Sequence, residues 1–241
     1  MASPEQLEWL NAQHKKIIER VVSGSLDPDL VRRHMQSLID RNVSTSQSIV
    51  EQVERQLNRW RELGVPIAGK LRDDVMWQAD NFSPCSDTDE PLLTGGFGFA
   101  YENLARLINT LLTSIGDHAV NYLTAQSYRY AKEMVPRRGL RVIHYDPNGY
   151  RAVSPLHARE SARLNSLRLA GIEVLEYLVV NSKTELAFPN ARVNLAGIQC
   201  GSGGYWTETP YLTHVGSELR LYSDRSEGAG INCTSPIVRE C

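Results

Sequence analysis

The sequence predicts an α+β fold, and three observations carry that prediction. Amphipathic helical patterns fill the first half of the chain. The texture turns to short strands and turn residues after Leu140. Helices and strands are grouped rather than alternating in a regular βαβ rhythm. Length and composition agree with a folded domain. The chain has 241 residues, 41% hydrophobic and 22% charged, enough to bury a sizeable core and unlike the composition of disorder.

The N-terminal elements have clear boundaries. Ser3-Pro4-Glu5-Gln6 offers an N-cap serine, a proline at the first helical position and a capping-box glutamine. Leu7, Leu10, Ile17, Ile18 and Val21 continue that helix to Ser23-Gly24. Asp27-Pro28 opens a second, with Val31, Met35, Leu38 and Ile39 on one stripe. A third starts around 44–46, turns Ile49, Val53, Leu57 and Trp60 inward, and stops at Gly64-Val65-Pro66. Three domain segments follow: a helical subdomain at 1–66, a linker with a glycine-rich loop at 67–98, and an α+β domain at 99–241.

In the third segment a helix is expected through Leu104, Leu107, Leu111 and Ile115, and another from Gly116-Asp117 through Val120, Leu123, Tyr130 and Met134. Arg141–Tyr145 reads as a strand, Asp146-Pro147-Asn148-Gly149 as a tight turn, and 150–153 as the returning strand. Ser154-Pro155 caps a helix that runs to Ala170. The aliphatic run Ile172–Val180 reads as a strong strand. Further strands are expected around Val193 and Leu195, at Leu219–Leu221, and near Ile237-Val238.

Charge narrows the function classes. Lys and Arg total 26 against 28 Asp and Glu, so there is no broad positive field and nucleic-acid binding is not favoured. The first residues lack a basic segment leading into an apolar stretch, and no apolar run is long enough to span a bilayer. The expectation is a cytoplasmic protein, without a membrane partner, whose four cysteines are free thiols. A protein or a small anionic ligand is the expected partner, and no cofactor is indicated.

Candidate chemistry centres on Gln199-Cys200-Gly201-Ser202-Gly203-Gly204-Tyr205-Trp206. The run resembles the Gly-Asp-Ser-Gly-Gly of chymotrypsin-like proteases without its aspartate. It also resembles the Cys-Gly-Ser-Cys-Trp of papain-like proteases, with Gly203 where the attacking cysteine belongs. A Cys200 or Ser202 nucleophile needs a base, and His214 is the downstream candidate. The competing reading is a glycine turn between strands, with Cys200 facing the core. A second candidate is a metal site built from His144 and Asp146, two apart on a strand, with His157 on the next helix. Gly95-Gly96-Phe97-Gly98 has the look of an anion-cradling loop but lacks a following lysine. Arg159 and Arg163 share a helix face, which suits an anion or partner acids. Tyr205, Trp206, Tyr211 and Tyr222 fit an ordinary sheet, or a recognition surface if clustered and exposed.

Five segments resemble a group of uncharacterised bacterial proteins: Val22-Ser23-Gly24-Ser25-Leu26-Asp27-Pro28, Leu175-Glu176-Tyr177-Leu178, Cys200-Gly201-Ser202, Leu219-Arg220-Leu221 and the terminal Arg239. The resemblance implies a bacterial, cytoplasmic origin and carries no functional residue. The leading expectation is a binding or interaction protein without catalytic activity. The alternatives are a hydrolase or transferase using Cys200 or Ser202 with His214, and a metal-dependent enzyme using His144, Asp146 and His157.

Overall fold

A computed structural model describes residues 48–86, 88–97, 103–181, 192–228 and 232–240. The chain divides into two units, Met1–Ser48 and Ile49–Cys241. The helices expected before residue 44 lie outside the described residues. The division falls before the third helix rather than after it. The described residues form five helices and one mixed sheet of ten strands, an α+β architecture. No helix among them is long and apolar enough to cross a membrane.

Helix α1 (Ile49–Glu62) buries Val53, Gln56, Leu57 and Trp60, a stripe at helical spacing. This stripe covers the open edge of β1 (Glu90–Thr94). Gln56 donates to Pro91 O at 2.9 Å and accepts from Leu93 N at 2.6 Å, and Trp60 Nε1 donates to Leu93 O at 2.9 Å. Side chains of a helix thus occupy the main-chain groups that another strand would take, which protects the edge. Helix α2 (Gly69–Asp80) packs beside α1 and the later strand Arg141–Arg151. The segment 67–98, expected as a linker, therefore contains a helix and a strand. Gly96 is required here, because a Cβ would sit 2.4 Å from the Trp60 ring.

Helix α3 (Leu104–Ile115) appears as expected, with the Asn103 side chain accepting from Arg106 N. The helix expected over 116–134 does not form. Its residues make β2 (Ala119–Asn121), parallel to the later strand Glu218–Arg225, and β3 (Ser127–Tyr130), antiparallel to the later strand Ile198–Gly201. Each is held by partners remote in sequence, a tertiary override of local pattern.

Strand β4 (Arg141–Arg151) runs unbroken where a hairpin was expected. Asp146 pairs with Ile237 and Tyr150 with Ser235, so Pro147-Asn148-Gly149 stands against Pro236 alone. The turn-like residues thus make a bulge, and Asn148 N donates to Asp146 Oδ1 at 2.9 Å within it. Helix α4 (Pro155–Leu164) starts at its Ser154 cap and ends six residues before Ala170. A short strand, β5 (Arg168–Leu169), follows.

Ile172–Val180 is not the expected strand but a helix, α5, with all nine residues buried. An apolar run without a polar face fits a buried strand and a buried helix equally. Its two glutamates fix the helical reading: Glu173 accepts from Gly171 N at 2.9 Å at the positive helix end and pairs with Arg168, while Glu176 accepts from Thr94 Oγ1 and from Gly95 N at 3.0 Å.

The rest of the sheet comprises β6 (Arg192–Asn194), β7 (Ile198–Gly201), β8 (Glu208–Val215), β9 (Glu218–Arg225) and β10 (Cys233–Glu240). The path runs β1-β4-β10-β6-β8-β7-β3, with β5 on β10 and β2 on β9. Consecutive residues Ile237 and Val238 enter different cores, a smaller one beneath α4 and the main one beneath α1, α3 and α5.

Candidate functional site

His144 lies on β4 with Pro91 of β1 on one side and Arg239 of β10 on the other. Phe82, just past α2, stacks on its imidazole with ring centroids 4.3 Å apart. The loop from α2 to β1 brings Cys85 and Asp89 to the same imidazole. Cys85 Sγ is 3.9 Å from His144 Nδ1, and Asp89 Oδ2 is 3.6 Å from that nitrogen. The loop fixes its own shape: Cys85 N donates to Asp89 Oδ2 at 2.8 Å, and Asp89 N to Ser86 O at 3.2 Å.

The three groups differ in environment. Cys85 is exposed, His144 is buried, and the Asp89 side chain has 0% of its surface in contact with solvent. A carboxylate so enclosed needs a cationic partner. Arg239 supplies one, donating through Nη1 to Asp89 Oδ1 at 2.8 Å. Burial holds the His144 pKa below its ordinary value; Asp89 opposes the shift and Arg239 reinforces it. At neutral pH the imidazole is therefore neutral and has a lone pair to share.

Among the described residues, Cys85, Asp89 and His144 are the one set of three His, Cys, Asp or Glu whose ligating atoms all lie within 4.8 Å of one another. In a tetrahedral zinc centre, with Zn–S about 2.3 Å and Zn–N or Zn–O about 2.1 Å, ligand atoms lie about 3.4–3.6 Å apart. The observed 3.6 and 3.9 Å are within a few tenths of that.

His144 was legible as a candidate ligand, but its partners are not those expected. Asp146 engages Asn148 in the bulge, and His157 is exposed in the first turn of α4, its amide donating to Ser154 Oγ at 3.2 Å. Cys85 and Asp89 carry no signal of their own, since their loop reads only as acidic and proline-containing.

The Cys200 run is the end of β7 and the turn that follows it from Ser202. Cys200 is fully buried in the main core, and burial pushes its thiol up to about 12, with Ser223 alongside. Cys200 pairs with Glu208, whereas His214 sits six places further along β8 opposite Leu219. At strand spacing that is about 20 Å, so the two do not converge. Ser202 is exposed in the turn, Gly203 and Gly204 take positive φ, and a Cβ on Gly201 would lie 1.7 Å from Tyr205 O.

Two further groupings are absorbed by the fold. Arg159 is buried while Arg163 is exposed, so they form no shared anion face. Arg159 donates to Ala196 O at 2.7 Å, Ile198 O at 2.9 Å and Thr209 Oγ1 at 2.7 Å, bridging the interruption between β6 and β7. Tyr122, just past β2, Tyr222 of β9 and Tyr211 of β8 form a row, with centroids 4.9 and 6.0 Å apart and Arg220 and Arg192 over its ends. Tyr211 and Tyr222 are half-buried in this row, and Tyr122 at its end stays 49% exposed.

Compared with family models, curated proteins and solved structures, the chain matches none.

Proposed function

We propose that this chain is a binding protein and that it binds a divalent metal ion of the zinc class at Cys85, Asp89 and His144. The observation that carries the reading is the convergence of one thiol, one carboxylate and one neutral imidazole, their ligating atoms all within 4.8 Å of one another. Thiolate and imidazole together favour zinc over magnesium or calcium, which prefer oxygen alone. Asp89 is already oriented by Arg239 and by the Cys85 amide, as the outer partners of metal ligands commonly do. Three protein ligands leave one of four positions open. This narrows the expected binding protein to a definite ligand class and keeps His144 from the metal reading with new partners. It assigns no catalytic step.

The test is zinc titration of the reduced full chain in competition with a chromophoric chelator. One equivalent should bind, and C85S and H144A should each weaken binding by at least tenfold, within the range expected for loss of a ligand or its support. Binding to the unaltered chain that is no stronger than to the double variant would overturn the proposal.

A further inference from the structure

We infer that the open position of this metal site takes a small oxyanion, with Arg239 as its second anchor. The inference rests on the metal-binding reading above and goes beyond it by naming the external ligand. Arg239 stands directly across β10 from His144 on β4, and opposed residues of neighbouring strands share a face with Cβ atoms about 4.5–5.5 Å apart. Its side chain is 26% exposed, and its one hydrogen bond among the described residues uses Nη1 alone. A guanidinium offers five donors in a planar fork suited to carboxylate or phosphate.

Charge counting gives the same direction. In the metal-free cluster the Asp89 carboxylate balances Arg239. A divalent ion spends that carboxylate and the Cys85 thiolate, giving a neutral centre beside a guanidinium that has lost its counter-charge. The net positive charge then lies at the rim next to the open coordination position. An oxyanion can place one oxygen on the metal and another on the fork, gaining two charge-assisted contacts. The aqueous ligand of an unmodified three-residue site would make only the first.

Cobalt(II) substitution of the full chain separates this inference from the reading beneath it. Sulfur-to-cobalt charge transfer reports metal on Cys85, and the visible ligand-field bands report the fourth ligand. Inorganic phosphate and acetate, added in turn at constant ionic strength, should change the visible bands while the charge-transfer band persists. The apparent anion affinity should fall about tenfold in R239Q at saturating cobalt, the loss expected for one charged hydrogen bond. R239K, which keeps the charge but not the fork, should be intermediate and serves if R239Q does not fold. Charge transfer without any anion response, or an equal response in the variants, would overturn the inference and leave metal binding standing. Absence of charge transfer would remove both. A response to phosphate alone or acetate alone identifies which oxyanion the position takes.

Discussion

Replacing Arg159 with methionine is the sharpest perturbation of the fold. The side chain is buried, and its fork satisfies the carbonyls of Ala196 and Ile198 where β6 gives way to β7. Ala196, Ile198 and Thr209 are each 0% exposed, so water cannot replace the lost donors. Methionine preserves most of the volume, which isolates the polar loss from a cavity. Two buried carbonyls left without donors cost about 1–3 kcal/mol each, or roughly 4 kcal/mol together. Thr209 and Ser226 retain each other at 2.7 Å and moderate the remainder. With an m-value of about 2 kcal/mol/M in urea, the unfolding midpoint should fall by about 2 M. Lysine keeps the charge but loses the fork, and should cost about half as much. Urea unfolding followed by tryptophan fluorescence reads both variants. A midpoint change in R159M below about 0.3 M would refute the claim that this guanidinium joins the interrupted strand.

Two further outcomes follow from the same energetics. With its thiol pushed up to about 12, Cys200 holds roughly one part in thirty thousand as reactive thiolate at pH 7.5. Iodoacetamide should therefore modify Cys85 in the native protein and spare Cys200 until urea is added; mass spectrometry showing native labelling of Cys200 within minutes would contradict its burial. Burial alone raises the Glu240 carboxyl, but Arg141, with Arg168 close by, pulls it below its ordinary 4.5. A carboxyl lowered in the folded state stabilises above the unfolded value, and that contribution is lost as pH falls through the folded one. E240Q should flatten the decline of the urea midpoint below pH 4.5, and an unchanged slope would rule out this ion pair as a contributor.

The α+β class was legible because helical stripes and turn chemistry are local properties. The stripe of Val53, Leu57 and Trp60 and the Ser154 cap appear where they were read. Errors arose where partners remote in sequence decide. Ile172–Val180 has no polar face to disclose its period, yet Glu173 and Glu176 share a helix face, a clue outweighed by β-branched neighbours. Asp146-Pro147-Asn148-Gly149 has every residue of a turn, but β10 lies along both its flanks and converts it to a bulge. The candidate site was half legible. His144 reads as a ligand from its own strand, while its thiol partner stands 59 residues upstream. Only the antiparallel pairing of β1 with β4 closes that distance.

In the proposed function Cys85, Asp89 and His144 hold one metal ion together. X-ray absorption at the zinc edge of the zinc-loaded full chain tests it most directly. One sulfur at about 2.3 Å and nitrogen or oxygen scatterers at about 2.0–2.1 Å, including one imidazole, are expected. C85S should remove the sulfur shell and leave the light atoms. A shell of nitrogen and oxygen only in the unaltered protein, or two sulfurs, would contradict the assignment.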